Sequence, residues 1–224
     1  MEPDNPLLDQ YILSVAGVSK PKVCFVGTAS GDAQSYIDGF YEVFRNFDSI
    51  PSHLSLFKPP AGDLRSFVLQ QDVIYVGGGS TRNLLVLWKE WGLDLILKEA
   101  LASGVVLAGI SAGSICWFEQ GLTDSVKTGE LHPLTCLGFL KGSNCPHYDG
   151  EPERRPAYQR FVRERMLKDG YAADDGVALH FIESQLATAV SSRESAKAYS
   201  VRERDGQIEE TPLETRYLAA VAAA

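Results

Sequence analysis

The chain has 224 residues, of which 45% are hydrophobic and 10% aromatic. That is enough apolar surface for a packed core, and it excludes disorder along the whole length. Asp and Glu number 29 against 21 Lys and Arg, a net charge of −8; such a surface argues against nucleic acid or an anionic membrane as partner.

No apolar run approaches the roughly 20 residues that a membrane helix needs. The length fits one domain over 1–224, with an extension at 1–20 and a tail at 212–224, as a monomer or homodimer. Cys24, Cys116, Cys136 and Cys145 form no CxxC pair, so neither a zinc ribbon nor a thioredoxin motif is expected. The first ten residues carry Glu2, Asp4 and Asp9 without a basic cluster, which reads as a cytoplasmic protein with reduced thiols. The basic run at 154–168 lies among Glu151, Glu153 and Glu164 and reads as a solvated helix face.

Apolar runs alternate with amphipathic ones, the pattern of an α/β sheet. Residues 23–27 predict a buried parallel strand, and Asp32 is placed to cap a helix over 32–47. Residues 54–57 read as a second strand and 72–76 as a third, which runs into Gly77-Gly78-Gly79-Ser80-Thr81. Helices are expected over 81–88 and 93–103, then a strong strand over 104–110. The stretch 123–148, together with Gly121 just before it, is loop-rich, with Gly129, Pro133, Gly138, Gly142 and Pro146. A helix over 153–168 and strands at 177–181, 186–190 and 196–201 complete the reading as a small antiparallel addition; the alanine-rich end at 219–224 reads as a frayed or disordered tail.

The most informative segment is Gly109-Ile110-Ser111-Ala112-Gly113. This is GxSxG after the best strand and at the start of a helix, the context that a nucleophile elbow requires. Small residues two before and two after the serine avoid clashes in the tight turn. The helix start offers amides to a developing oxyanion. Ser114 lies inside the helix and is the lesser candidate. A serine nucleophile needs a base. Among His53, His132, His147 and His180, the turn-rich Cys145-Pro146-His147-Tyr148-Asp149-Gly150 makes His147 the first choice, with His132 and His180 as alternatives. Asp124 and Asp175, each in a turn, are both open as the orienting acid. The second oxyanion amide is expected from Gly77-Gly78-Gly79, beside that of Ala112. No dinucleotide or P-loop signature occurs, no HExxH or repeated ligand spacing suggests a metal, and no cofactor is expected.

Together, Val76-Gly77-Gly78-Gly79-Ser80-Thr81, Gly109-Ile110-Ser111-Ala112-Gly113-Ser114 and Cys145-Pro146-His147-Tyr148 resemble the serine peptidases typified by dipeptidase E (aspartyl dipeptidase) and cyanophycinase. The resemblance spans roughly 21–190. It implies a three-layer α/β sandwich with a mostly parallel central sheet, flavodoxin-like and similar to the class I glutamine amidotransferase domain. It also implies Ser111 as nucleophile, His147 as base, and oxyanion amides from Ala112, Gly78 and Gly79. By position the family's acid matches either Asp124 or Asp175, and the Thr-Asp pattern favours Asp124. It implies short peptides as substrate, dipeptides with N-terminal Asp among them, held through a downstream arginine; Arg154 and Arg155 are the nearest matches. The family's usual Gly-Gly-Gly-Asn is Gly-Gly-Gly-Ser here.

Three rivals remain. An α/β-hydrolase esterase shares GxSxG but places its histidine late, as His180 would be. An inactive relative would act by binding, with Trp88, Trp91 or Trp117 lining a surface. A glutaminase would need a thiolate, and Cys116 lies too far into the helix to replace Ser111.

Overall fold

A computed structural model describes residues 1, 2, 4–60 and 62–219. The alanine-rich tail expected at the end lies outside these residues from 220 onward. The chain divides into two compact units, one running from Asp9 to Cys116 together with Met1, the other from Trp117 onward together with the segment at 2–8.

In the first unit, β1 (Lys22–Val26), β2 (Ile50–Leu54), β3 (Val73–Val76) and β4 (Val106–Gly109) form an all-parallel sheet in the order β2-β1-β3-β4. β1 and β3 are continuous apolar runs because a parallel sheet is covered on both faces. Helix α2 (Gln34–Phe44) lays Ile37, Phe40, Val43 and Phe44 on Val23, Phe25, Val73 and Tyr75. The Phe25 and Phe40 rings stack with centroids 5.1 Å apart. Helix α1 (Leu7–Val15) forms within the expected N-terminal extension, and α3 (Leu64–Leu69) is a short helix that the sequence pattern did not signal. α4 (Thr81–Trp91) begins on Ser80, whose hydroxyl accepts from the Asn83 amide at 3.2 Å, and stops at Gly92, φ 65°. α5 (Leu93–Ala102) leads into β4.

Two local readings change. The second strand is β2, four residues earlier than expected. Its sequence hid it: Pro51 and polar Ser52 and His53 are tolerated on an edge strand. Asp32 does not cap α2, whose N-cap is Ala33. Its Oδ2 instead accepts from the Ser55 hydroxyl at 2.6 Å and the Leu56 and Phe57 amides at 2.9 and 3.2 Å, so it ties down the segment after β2 that had read as strand.

The second unit is built on strands. β5 (Phe118–Lys127), β6 (Glu130–Thr135), β7 (Leu140–Cys145), β8 (Gly170–Ala173), β11 (Ala198–Arg204) and β12 (Gln207–Pro212) form a mixed sheet in the order β12-β11-β8-β7-β5-β6. β9 (Val177–Ile182), β10 (Gln185–Ser191) and β13 (Thr215–Tyr217) make a smaller sheet, and β13 occupies part of the expected tail. β9 and β10 pair antiparallel, as do β11 and β12. Helix α7 (Arg154–Arg163) packs Tyr158, Phe161 and Val162 against Leu122, Cys145, Tyr148, Ala172 and Val201. Most of the stretch that read as loop is therefore strand. Its glycines and proline have specific places: Gly129, φ 76°, turns the β5–β6 hairpin, and Pro133 sits on the outer strand β6. Inside β7, Gly142 has φ 81°, and a Cβ there would lie 2.4 Å from the Asp169 carbonyl oxygen.

Candidate active site

The first unit holds the elbow. Ser111 joins β4 to α6 (Ala112–Ile115) with φ 54° and ψ −117°. A non-glycine residue in this region carries strain of about 1–3 kcal/mol, and it persists only where the surroundings enforce it. Here two glycines enforce it. A Cβ on Gly109 would lie 2.2 Å from the Gly113 carbonyl oxygen, and one on Gly113 would lie 2.2 Å from that of Val76. The turn therefore requires glycine at both flanking positions. Ser114 donates its hydroxyl to the Ser111 carbonyl at 2.8 Å, as helical serines do. α6 is only four residues long, so its contribution near Ser111 comes from individual amides more than from a long helix dipole.

The glycine turn after β3 lies beside the serine. A Cβ on Gly78 would sit 3.1 Å from Ser111 Cβ and 3.7 Å from its Oγ. Gly79 takes φ 133°, where a Cβ would strike the Ala29 carbonyl oxygen at 2.3 Å. The Gly78 amide donates to the Tyr36 hydroxyl at 3.1 Å. Of the three expected oxyanion donors, it is therefore already engaged. Among the described residues, the amides of Gly79 and Ala112 have no partner. Tyr36 was not singled out by the sequence; it lies on α2 one turn before Phe40 and packs, partly buried, against the same core. Burial raises its phenol's pKa, against the Gly78 amide bond.

The second unit holds the base candidate. His147 follows β7 with φ 58°, and its Nδ1 meets Asp175 Oδ1 at 2.6 Å. A carboxylate can only accept, so Nδ1–H is the donor, which in the neutral ring leaves the lone pair on Nε2. Asp175 is itself anchored: its amide donates to Asp149 Oδ1 at 2.7 Å, and a Cβ on Gly150 would lie 2.2 Å from its Oδ2. Burial raises the pKa of neighbouring Asp174, and Asp149 and Asp175 add to that, while the Lys197 amide and Arg155 oppose it. The carboxylate that meets His147 is thus Asp175, and not the favoured Asp124, which stands exposed on β5.

The other histidines are placed differently. His132 pairs with Glu130 at 3.3 Å on β6, and His53 meets the Tyr41 hydroxyl at 2.9 Å. His180 lies on β9, where burial lowers its pKa.

The arginines expected to hold a substrate carboxylate are committed elsewhere. Arg154, its side chain only 4% exposed, donates Nε to Glu151 at 2.6 Å and Nη1 to the Leu122 carbonyl at 3.2 Å. A guanidinium so engaged cannot present a free fork to a ligand. Arg155 is about half exposed, but it is ion-paired with Glu210 and lies over the Tyr148 and Tyr199 rings at 5.1 and 5.2 Å. Trp88 is core, fully buried, with its indole N–H on Thr28 Oγ1 at 3.1 Å. Burial pushes the thiols of Cys24, Cys136 and Cys145 up to about 12, too high for a nucleophile. Among the described residues, no group of three or more His, Cys, Asp or Glu is placed to hold a metal ion, and no helix is long and apolar enough to cross a membrane.

Comparison with known proteins adds to this geometry. The model of peptidase family S51 matches residues 1–189. The chain is 62% identical to the uncharacterized peptidase YgaJ of Bacillus subtilis (strain 168) over 218 residues, which cover 97% of this chain and 94% of that protein. In structure it is similar to a peptidase from an acI-B1 actinobacterium, with TM-score 0.65, 18% identity and coverage of 93% and 92% of the two chains. It is also similar to a peptidase E candidate from Listeria monocytogenes EGD-e, with TM-score 0.56, 19% identity and coverage of 92% and 93%. These two likenesses establish the shared α/β fold with its mostly parallel central sheet.

Proposed function

We propose, from the premise that this chain belongs to peptidase family S51, that it hydrolyses short peptides through an acyl-enzyme on Ser111, with His147 as general base and Asp175 as the acid that orients it. The observation that carries this reading is the Ser111 backbone, held at φ 54° by two glycines that no larger residue can replace. Backbone strain of that kind gathers at functional sites, and a sharp strand-to-helix turn is the geometry that exposes a nucleophile's hydroxyl.

In the proposed reaction, Oγ of Ser111 attacks the scissile carbonyl carbon while its proton passes to Nε2 of His147. The amides of Gly79 and Ala112 stabilise the oxyanion; donors of this kind are worth roughly 10²–10³-fold each. The C–N bond then breaks, and the imidazolium gives its proton to the leaving amine. Water, deprotonated by His147, hydrolyses the ester and regenerates Ser111. Asp175 accepts from Nδ1–H throughout, fixes the tautomer and stabilises the cation.

Dipeptides with N-terminal Asp are the substrates to try first, on the family expectation. A dipeptide library is the test, run with the native chain and Ser111→Ala, alongside labelling by a fluorophosphonate. Hydrolysis and labelling by the native chain alone support the reading. Equal turnover by Ser111→Ala, or labelling elsewhere, would refute it.

A further inference from the structure

The residues that brace the His147 loop converge on one carboxylate, and it lies beyond the segment that the family model matches. Tyr148, next to His147, is only 2% exposed, and its amide donates to the Ala173 carbonyl at 3.0 Å. Its ring packs edge-on against Tyr158 at 6.2 Å and tilted against Tyr199 at 5.4 Å. Its hydroxyl donates to Glu210 Oε2 at 2.5 Å, and Gln159 Nε2 donates to the same oxygen at 2.7 Å. Arg155 donates to the other oxygen. Glu210 sits on β12 opposite Val201 of β11, while Arg155 and Gln159 belong to α7. One carboxylate thus ties together the loop after β7, the helix and the outer hairpin.

We propose that Glu210 is a positioning residue for the His147–Asp175 pair, acting through the Tyr148 hydroxyl; the inference rests on reading His147 as the general base. His147 holds a left-handed backbone without being glycine. Such a conformation survives only when its neighbours are fixed. Tyr148 is the adjoining residue, and its hydroxyl donates to Glu210 while accepting a longer bond from Gln159 Nε2 at 3.5 Å, so Glu210 is its one acceptor. Burial favours the protonated form of Glu210, but the bonds from Tyr148, Arg155 and Gln159 outweigh it and hold the carboxyl below the usual range. The anchor is therefore anionic at neutral pH, and it accepts more strongly than a neutral group would. Without it, Tyr148 loses that hold, and the imidazole one peptide bond away loses its fixed angle to Asp175. A looser Nδ1–H bond to Asp175 stabilises the imidazolium less, so His147 titrates at lower pH.

The test is an NMR titration of the His147 ring in the full chain, its signal assigned by its loss in His147→Ala. It is read beside the rate of Ser111 labelling by a fluorophosphonate. The variants are Glu210→Gln, Tyr148→Phe, the double variant, and Glu209→Gln as an exposed carboxylate on the same strand. Glu210→Gln and Tyr148→Phe are each expected to lower the His147 midpoint by about half a pH unit or more. Labelling should slow roughly tenfold, about what 1.4 kcal/mol produces. The double variant should match the singles, and Glu209→Gln should behave as native.

A native midpoint in Tyr148→Phe overturns the proposal, because a shift confined to Glu210→Gln is then a field effect. A fall in melting temperature with an unchanged midpoint also overturns it, since Glu210 would then be purely structural. If Glu210→Gln does not fold, Tyr148→Phe, which removes one oxygen, carries the test. Full-rate labelling of His147→Ala would sink the base assignment while leaving the ring's positioning measurable.

Discussion

Gly150→Ala separates activity from stability in a way that the geometry dictates. The added Cβ would lie 2.2 Å from Asp175 Oδ2 and 3.0 Å from its Cγ. Comfortable contact between such atoms begins at about 3.5 Å, so the carboxylate must retreat by about 1 Å. It stands 2.6 Å from His147 Nδ1, and a retreat of that size takes the pair out of good hydrogen-bonding range. The φ of Gly150 is not in the left-handed region, so alanine adopts the backbone without strain. The atom it strikes is the free end of a side chain, which swings aside at a cost in stability of about 1–2 kcal/mol. Misplacing a reacting constellation by about 1 Å costs roughly 10²-fold in rate, or about 2.7 kcal/mol of barrier.

The assay is the second-order rate of fluorophosphonate labelling at Ser111, measured beside urea unfolding. Gly150→Ala should label roughly 10²-fold more slowly, while its unfolding free energy falls by only about 1–2 kcal/mol and the chain stays folded without urea. Combined with Asp175→Ala, it should add almost nothing, because the carboxylate it displaces is already gone. Native-rate labelling by a folded Gly150→Ala, with Asp175→Ala slowed, would refute the claim that this glycine keeps the carboxylate in place.

The same structure leads to other expected outcomes. Gly113→Ala should destabilise the first unit by about 2–4 kcal/mol, because its Cβ meets the Val76 carbonyl oxygen, which also accepts from the Ile110 amide at 3.0 Å; urea unfolding measures it. Ser80→Ala removes the α4 cap and should cost about 1 kcal/mol by the same method. Glu119 accepts from the Gly142 amide and pairs with Lys168 and Lys141, which hold its carboxyl down at about 2 against an ordinary 4.5. Its folded pKa is below its unfolded one, so its contribution is present above about pH 4.5 and lost as pH falls towards about 2. Glu119→Gln should flatten the pH dependence of the unfolding midpoint across that window and leave the neutral-to-alkaline side parallel to native.

How much of this was legible in the sequence depends on how far apart the interacting residues lie. The elbow was legible because its constraint is local. Gly109, Ser111 and Gly113 fall within five positions, and the clashes that demand glycine involve the turn itself and the neighbouring strand. β1 and β3 were legible as buried apolar runs, β4 as an apolar run that is only half-buried at the end of its sheet, and α4 through its glycine-and-serine start. β2, β5, β6 and β7 were obscured because edge positions and bulges admit Pro51, Pro133 and Gly142, residues that a sequence reader takes for loop.

The carboxylate that meets His147 shows where local reading ends. β7 lies between β5 and β8, parallel to both, with Asn144 opposite Gly121 on one side and Cys145 opposite Ala172 on the other. Counting forward from those registers brings Asp124 level with His147 on one flank and Asp175 close to it on the other. Both aspartates are therefore at the right height, and strand order alone cannot choose between them. The course of the chain at the end of each strand makes the choice. β5 runs on through Asp124 into the β6 hairpin, with a register shift after Thr123, and leaves that carboxylate exposed. β8 stops at Ala173, and its chain turns at Gly176, φ 81°. The Asp149 carboxylate accepts from the Asp175 amide and the uncrowded Gly150 admits its carboxylate, so the turn delivers Asp175 to Nδ1. The information that selects the carboxylate partner of His147 therefore sits in Asp149 and Gly150, two residues of the His147 loop itself, and becomes readable only once the β7–β8 pairing is known.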